Sequence, residues 1–395
     1  MFNKFSIFNF QFSIIIIALS AIMIACSSDD SDDSGDDPAV PAQRTVIAFF
    51  DGNNNLSSEL REDIVEMENG SKSLSSTTNL IIFANIRGDS AYVAEVVNGK
   101  KKKVRMWPKN FISTNPDNML SVMQWIVEKY PAYEYGIIFG GHGTGSMVNI
   151  DEKNDTIPTT LHPAYAYGWD YNNNSTQTPR WWITSQTLAT VISHLPHMKF
   201  IFFDCCLMQD INVACQLRKY TDYLIAPVCE TPAKGAPYES IVPILSTSDP
   251  EEMCDKLLTI YRNNSSICIS ALRSYAVDNL QLTATRALGE IHANLEANSD
   301  VISYDNVIYY YRDTPTDPTS PPALYDLKSF LYEQNKKGNL CDATYQAFLD
   351  ALGQCVFSSR MATQWVQNSN IRFTDFSVTD DNYGALSITR KAIEE

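Results

Sequence analysis

The sequence predicts an α/β fold in which a mostly parallel sheet is flanked by helices, with a more helical C-terminal part. Two apolar runs, residues 135–139 and 199–203, have the length and composition of strands that are buried on both faces. Each run follows a segment whose apolar residues have the spacing of a helix. Such alternation is typical of a parallel sheet covered by helices on both sides.

The rest of the chain supplies the remaining elements. The other predicted strands are residues 46–50, 79–86, 92–97, 104–107, 223–228, 267–272 and 385–388. The predicted helices are residues 118–130, 207–220, 280–297, 324–336 and 344–357, with one more that is capped by Thr184 or Ser185 and ends at Leu195. A turn is expected at residues 100–103, and residues 151–180, which have little apolar periodicity, predict a long surface loop.

Composition limits the classes of protein that this chain can belong to. Its 395 residues are 44% apolar and 11% aromatic, which is enough for the packed core of one large domain or two smaller ones. The formal charge of −16 argues against a nucleic-acid partner, because phosphates require a basic face. Eight cysteines follow Cys26 without the spacing of a disulfide framework, so we expect few or no disulfides.

The N-terminal segment has the features of an export signal. Residues 1–25 carry Lys4 and then an apolar run, which is typical of a secretory signal peptide. The Ala25–Cys26 junction resembles a bacterial lipoprotein cleavage box, which would make Cys26 the lipidated N-terminus; an ordinary signal peptide cut elsewhere is the alternative. Residues 26–43 are acidic and predict a disordered tether, similar to the surface-export signal of Bacteroidetes lipoproteins. We therefore expect an outer-membrane or cell-surface lipoprotein, or one that faces the periplasm.

Two reactive side chains follow the two buried strands. Cys206 lies three residues beyond one of them, and His142 lies among four glycines just beyond the other. Because the carboxyl ends of parallel strands meet at one edge of a sheet, the thiol and the imidazole are expected to lie close together. A thiol beside an imidazole is the arrangement of a Cys-His nucleophilic site.

The two motifs together resemble the clostripain family of cysteine peptidases, relatives of caspases, gingipains and legumains. A strand followed by His142-Gly143 precedes, by about sixty residues, a strand followed by D-x-C-L-M at 204–208. The segments AFFDGNNNL (48–56), YTDYLIAPVCETPAKGAPY (220–238) and ALYDLKSFL (323–331) are also similar to family segments. The resemblance covers residues 44–238 well and the remainder more loosely. It implies a caspase-like catalytic domain at 44–275, on which a mainly helical region at 276–395 packs.

The resemblance also implies an activity: an exported endopeptidase that cleaves peptides and proteins after Arg or Lys through a Cys-His dyad. The family pattern places the nucleophile at Cys206 and leaves the adjacent Cys205 as a packed thiol on the opposite face of the strand. Backbone amides of Gly143 and Cys206 would hold the oxyanion. A helix beginning at Leu207 would favour the thiolate. Asp204 would bind the basic side chain of the substrate, with a helix-capping role as its alternative.

Members of this family are commonly nicked between the catalytic His and Cys strands, which suggests self-processing of this chain. In residues 151–180 the basic residues are Lys153 and Arg180. Lys153 lies among acidic and amide side chains that are well solvated. Arg180 directly precedes the capped helix, which would hold its backbone in place. Lys153 is therefore the favoured processing site.

No metal site or cofactor is predicted. Asp51, Asn53 and Asn55, with Glu62 at the twelfth position, loosely imitate a calcium loop, but Leu56 stands where the required Gly should be. Calcium therefore stays only a possibility that the family suggests. A G-x-S-x-G serine elbow does not occur, which argues against an α/β-hydrolase. The remaining alternative is a catalytically inactive peptidase-fold lipoprotein that binds peptide or glycan at the cell surface.

Overall fold

The computed structural model describes residues 40–145, 166–171, 180–312, 321–367, 371–372 and 377–395. The strands are β1 Ala42–Gly52, β2 Thr78–Ile86, β3 Tyr92–Val97, β4 Lys100–Met106, β5 Ala132–Gly140, β6 Gly143–Gly145, β7 Ala166–Tyr171, β8 Arg180–Thr184, β9 Met198–Asp204, β10 Thr221–Pro227, β11 Ile269–Arg273, β12 Tyr309–Arg312, β13 Pro322–Asp326, β14 Val356–Arg360, β15 Val366–Gln367, β16 Ile371–Arg372 and β17 Ser387–Thr389. The helices are α1 Ser57–Gly70, α2 Pro116–Lys129, α3 Ser185–Ile192, α4 Ile211–Leu217, α5 Tyr238–Ile241, α6 Pro250–Asn264, α7 Val277–Asn298, α8 Leu327–Lys336, α9 Asp342–Cys355 and α10 Arg390–Glu394.

A nine-stranded sheet forms the centre of the fold, in the order β14-β11-β10-β9-β5-β1-β2-β3-β4. The five strands from β10 to β2 are parallel. Antiparallel pairs, β11 with β14 and β3 with β4, extend the sheet at its two edges. The mostly parallel sheet predicted from the sequence is therefore confirmed. The C-terminal region also contributes to it, because β14 is one of the edge strands.

Helices cover both faces of this sheet, as the apolar runs require. Along β1 the side chains of Ile47 and Phe49 enter one core, while those of Val46 and Ala48 enter the other. The first core lies under α2, α3, α4, α7, α8 and α9, and the second under α1, α5 and α6. Among the described helices, none has the length and apolar character that crossing a bilayer demands.

Two of the sequence-based expectations about loops are wrong. Residues 100–103 belong to β4, and the turn is formed by Asn98 and Gly99, whose φ angles are 48° and 78°. A row of lysines on this edge strand disfavours pairing with another chain, which explains why so polar a segment can be a strand. Parts of the expected loop at 151–180 are strands as well, because β7 and β8 pair with β6 in a separate three-stranded sheet.

The described C-terminal region contains five strands, β12 to β16, besides the strand predicted at 385–388, which is observed as β17. The helix expected at residues 324–336 begins at Leu327, because Asp326 caps it and the preceding residues form β13. This strand pairs with β12 and β17 in a small antiparallel sheet. The predicted signal peptide, Cys26, Lys153 and residues 26–39 of the tether lie outside the described residues. The tether ends earlier than predicted, because Ala42 and Gln43 are the first two residues of β1.

Candidate active site

The site lies where three neighbouring parallel strands end, in the spatial order β9, β5, β1. Gly140 at the end of β5 is paired with Asp204 at the end of β9. His142 and Cys206 each lie two residues beyond this pair. The structure therefore brings the imidazole and the thiol to the same edge of the sheet, as the sequence predicts.

The backbone after His142 runs directly against the backbone of Cys206. A Cβ atom on Gly143 would lie 2.5 Å from the Cys206 carbonyl oxygen and 2.9 Å from Cβ of Cys205. Both distances are shorter than real Cβ contacts, so this close approach requires glycine. The same contact places the Gly143 backbone beside Cys206.

The two adjacent cysteines have different surroundings. Cys205 is fully buried, and its Sγ donates a hydrogen bond to the Phe139 carbonyl oxygen at 3.2 Å. Cys206 is partly exposed and packs against the core on the other face of the sheet. The alternation of side chains along an extended chain accounts for this difference. Of the two cysteines, Cys206 is therefore the one that lies at the surface of the described structure.

The Cys206 thiol contacts the loop that follows β10. The Thr231 backbone N–H donates a hydrogen bond to Sγ at 3.3 Å, and the Thr231 hydroxyl lies 3.4 Å from the same atom. Burial raises the pKa of Cys206 to about 11, the nearby Glu230 carboxylate adds to this rise, and the bonds to Thr231 oppose it. The thiol is therefore protonated near neutral pH in this structure.

The helix expected to begin at Leu207 begins instead at Ile211, with Asp210 as its cap. Leu207 has a φ of 65°, a left-handed conformation that is uncommon outside glycine, and its N–H donates to the Cys229 carbonyl oxygen at 3.1 Å. The chain thus makes a sharp turn directly after Cys206. The expectation that a helix N-terminus favours the thiolate is wrong, and the raised pKa of Cys206 agrees with that correction.

His142 is oriented by two residues that the sequence did not single out for this role. Its Nε2 lies 2.8 Å from Oδ1 of Asn55, in the turn between β1 and α1. The Trp169 ring, on β7, stacks on the imidazole with a centroid distance of 5.3 Å and an interplanar angle of 18°. These contacts fix both the plane of the ring and the direction of Nε2.

A buried pair of carboxyl groups holds β7 in position. The Ser113 hydroxyl contacts Oδ1 of Asp51 at 3.0 Å and Oδ2 of Asp170 at 2.8 Å, and both aspartates are fully buried. Burial and the adjacent Asp170 raise the pKa of Asp51 well above its usual value. Oδ2 of Asp51 lacks a conventional donor in the described structure, which a proton shared with Asp170 would explain. Because Asp170 follows Trp169, this pair helps to position the ring that stacks on His142.

The side chains of the loose calcium motif are engaged in other contacts. Asn53 donates to the Tyr171 carbonyl oxygen at 3.2 Å, and Asp51 belongs to the buried pair. Glu62, the expected twelfth ligand, lies exposed on α1. The described residues contain no cluster of three or more His, Cys, Asp or Glu side chains arranged to hold a metal ion.

Asp204 is a buried acceptor of several hydrogen bonds. It is 6% exposed, and it accepts bonds from the Tyr261 hydroxyl at 2.5 Å and from the Tyr238 hydroxyl and the Ala236 N–H at 2.9 Å each. Burial raises the pKa of Asp204, and these three bonds oppose the rise. The alternative role as a helix cap is wrong, because Asp210 caps α4.

Sequence reasoning gave no role in the site to several residues around Cys206 and His142, although they lie in segments that it had marked as similar to the family. Asn55 belongs to the segment at 48–56, and Thr231 and Tyr238 belong to the segment at 220–238. Both segments are similar to family segments. Similarity over a segment does not identify the role of a particular side chain, because that role depends on contacts between distant parts of the chain.

Comparisons with known proteins give a consistent result. A family model described as the clostripain family matches residues 48–376. No curated protein sequence matches the chain. Several solved structures share the fold. A secreted C11 cysteine protease from Bacteroides thetaiotaomicron, in complex with an irreversible peptide inhibitor, has a TM-score of 0.69 at 22% identity, over 88% of this chain and 93% of that one.

Two more solved structures are similar over comparable lengths. An inactive zymogen C11 protease from Parabacteroides distasonis has a TM-score of 0.67 at 21% identity, over 89% of this chain and 92% of that one. A further structure of a secreted C11 cysteine protease from Bacteroides thetaiotaomicron, named iotapain, has a TM-score of 0.65 at 23% identity, over 89% and 94% of the two chains.

Proposed function

This chain belongs to the clostripain family and is a cysteine endopeptidase, and we propose that it cleaves peptide bonds after Arg or Lys through Cys206 and His142. The observation that carries this proposal is the placement of the partly exposed Cys206 and an oriented imidazole at one edge of the sheet, with the buried Asp204 carboxylate two residues before the cysteine. The test is hydrolysis of matched peptides that carry Arg, Lys, Asp or Asn before the cut. We expect turnover of the first two only.

The reaction begins with transfer of the Cys206 proton to His142. The resulting thiolate attacks the peptide carbonyl, a C–S bond forms, and the oxygen takes the negative charge. His142 then protonates the departing amine as the C–N bond breaks, which leaves an acyl-enzyme. Water attacks this thioester, His142 takes its proton, and the acid product and the thiol are released. Since the pKa of Cys206 is about 11 in the free protein, substrate binding or the imidazolium must favour the thiolate during turnover.

Backbone amides of Gly143 and Cys206 are the proposed donors to the oxyanion. The contact of the Gly143 position with the Cys206 carbonyl oxygen supports this proposal, since it places the two backbones side by side. The left-handed conformation of Leu207 supports it as well, because it changes the direction of the chain directly after Cys206.

Export and membrane anchoring are proposed from the sequence. A signal peptide at residues 1–25, lipidation of Cys26 and an acidic tether that ends before Ala42 would place the catalytic unit on the outer membrane or cell surface. Its partners would then be peptides or proteins with basic residues outside the cytoplasm. The secreted relative from Bacteroides thetaiotaomicron supports an extracytoplasmic location.

Replacement of Asn55 tests its role as a positioning residue for His142. We expect Asn55→Ala to lower kcat/KM by about ten- to a hundredfold, because the imidazole loses the contact that directs Nε2. We expect Asn55→Asp to move the acid limb of the pH–rate profile to higher pH, because a carboxylate stabilises the imidazolium. Pre-steady-state pH profiles of the acylation step would measure both effects.

The matched control for Asn55 is Asn54→Ala in the same turn, since Asn54 bonds the carbonyl oxygens of Asp51 and Trp169 and does not contact His142 in the described structure. That variant should lose stability without a shift of the pH profile. An Asn55→Asp enzyme whose acid limb is unchanged would show that Asn55 has only a structural role.

Self-processing after Lys153 is also proposed, although this residue lies outside the described residues. The relative from Parabacteroides distasonis that is an inactive zymogen supports an activation step in the family. The wild type should separate into two fragments on a denaturing gel, with Asn154 as the new N-terminus, while Cys206→Ala stays whole. Lys153→Gln is the matched variant and should also stay whole. An intact and fully active wild type would rule out this step.

A further inference from the structure

We propose that Cys229 and Cys268 form a disulfide bond when the protein is exposed to a low-molecular-weight disulfide, and that this bond stabilises the loop that contacts Cys206. Both residues are free thiols in this structure. The proposal concerns a part of the chain outside the catalytic pair. It does not depend on which peptide bonds the site cleaves.

The register of the sheet brings the two cysteines together. Cys229 lies just beyond the end of β10, and Cys268 directly precedes β11, which is the antiparallel neighbour of β10. Pro227 is paired with Ile269, and the Val228 N–H donates to the Cys268 carbonyl oxygen at 2.9 Å, which continues the pairing by one residue. The chain bends after β10, and both cysteines enter the core that lies under α1, α5 and α6.

The contacts between the two residues are direct. The Cys268 N–H donates to Sγ of Cys229 at 3.2 Å, and the same sulfur lies 3.8 Å from the Cys268 carbonyl oxygen. The two thiols are also hydrogen-bonded to each other. Among the described cysteines, these two are therefore already as close as the formation of a disulfide requires.

The surroundings of Cys268 favour the thiolate that disulfide formation needs. Burial raises the pKa of this thiol, but hydrogen bonds from Cys229, the Ala362 N–H and the Tyr383 hydroxyl outweigh burial and lower the pKa below its usual value. The bond from Ala362 has an N–S distance of 3.3 Å. Burial raises the pKa of Cys229 well above its usual value, so this residue is the protonated partner. Cys268 is therefore the sulfur that attacks first.

The reaction is a thiol–disulfide exchange in two steps. The Cys268 thiolate attacks one sulfur of oxidised glutathione, a new S–S bond forms, and the other glutathione leaves as a thiolate that takes up a proton. The Cys229 thiol then loses its proton and attacks Sγ of Cys268, which releases the second glutathione as a thiol. The protein loses two electrons and two protons, and oxidised glutathione gains both as it becomes two thiols.

Both thiols are fully buried, so the exchange requires a local opening of the structure. The segments next to them are at the surface, since residues 230–235 and 262–266 are all exposed or partly exposed. Opening of the chain ends beyond β10 and before β11 is therefore sufficient, and the central strands stay paired. Once the bond has formed and the segments have closed again, its burial protects it from reductants.

The disulfide would hold the beginning of the loop at residues 229–238, which forms part of the active site. The Cys229 carbonyl oxygen accepts the Leu207 N–H at 3.1 Å, directly after the proposed nucleophile. Thr231, two residues further on, contacts the Cys206 thiol. A covalent bond to the residue before β11 restricts the unfolded chain and prevents this loop from separating from the sheet.

The first test locates the bond in the wild type. The folded protein is incubated with oxidised glutathione, its remaining thiols are blocked with N-ethylmaleimide in denaturant, and the digest is analysed by mass spectrometry. We expect peptides that contain Cys229 and Cys268 to be joined by a bond that reduction breaks. Recovery of both residues as N-ethylmaleimide adducts, or as separate mixed disulfides with glutathione, would overturn the proposal.

The second test measures the effect of the bond. Oxidation should raise the melting temperature by about 3 °C or more and slow amide hydrogen exchange in residues 229–238 several-fold. Cys268→Ala should show neither change, and Cys229→Ser replaces it if that variant folds poorly. Cys254→Ala, which removes another buried cysteine from the same core, is the matched control and should show both changes.

Glutathione on Cys206 would be present in all of these proteins, so it does not account for a difference between them. A disulfide that forms without either change would overturn the stabilising role. Both tests are independent of peptide hydrolysis, so a chain that forms the bond but cleaves no peptide rejects only the proposed reaction.

Discussion

Replacement of Cys206 by alanine should lower kcat/KM for an Arg or Lys peptide by about 10⁴-fold or more, because the acyl-enzyme can no longer form. The same change at Cys205 should leave activity within a few-fold of wild type. The two residues are adjacent in sequence, but Cys205 is fully buried and its thiol is bonded to the Phe139 carbonyl oxygen. Only Cys206 is partly exposed at the edge of the sheet where His142 lies.

The measurement is steady-state hydrolysis together with alkylation of the protein by iodoacetamide. Mass spectrometry of the peptide that contains both cysteines should locate the fast-reacting label on Cys206. Burial and Glu230 raise the pKa of this thiol to about 11, so labelling should become faster as pH rises from 7 to 10. Loss of activity in Cys205→Ala with full activity in Cys206→Ala would transfer the nucleophile to Cys205. A thermal melt of each variant controls for folding.

The arrangement of the sheet was predictable because each parallel strand has a local signal. The run YGIIF in β5 and the run KFIFF in β9 are apolar on both faces, which only a strand between two helical layers satisfies. The edge strand β4 was less predictable from the sequence. β4 begins with Lys100-Lys101-Lys102-Lys103, a run that is polar enough to indicate a turn, and it is a strand because a sheet edge tolerates and even favours charge.

The parts of the site that were predicted are those that one segment of chain determines. The positions of His142 and Cys206 follow from the ends of their own strands. The contact of Asn55 with His142 joins residues that are 87 positions apart, and no local pattern encodes it. The beginning of α4 was misjudged because the apolar spacing extends through Leu207 and Met208, whereas Leu207 has a left-handed conformation and its N–H bonds the distant Cys229 carbonyl oxygen.

Replacement of Asp204 by asparagine should lower kcat/KM for Arg and Lys peptides by about 100-fold or more, the second largest effect that we expect. The carboxylate is buried at the end of β9, two residues before Cys206, and the hydroxyls of Tyr238 and Tyr261 hold it in place. A basic side chain that enters a pocket without this charge loses its counter-ion after it has lost its water, and an unpaired buried charge is strongly unfavourable. The loss should therefore fall on basic substrates and leave the reactivity of Cys206 toward iodoacetamide nearly unchanged.

Asp326→Asn is the matched control for this prediction. Asp326 is also fully buried, and it also accepts bonds from a tyrosine hydroxyl, that of Tyr310 at 2.6 Å, and from backbone amides, but it lies at the start of α8. Both variants should lower the melting temperature by a similar amount, whereas only Asp204→Asn should lose the preference for basic residues. Equal kcat/KM losses in the two variants would mean that Asp204 acts through stability alone. A wild type that cleaves after Asp or Asn would show that the charge of this pocket does not select the substrate.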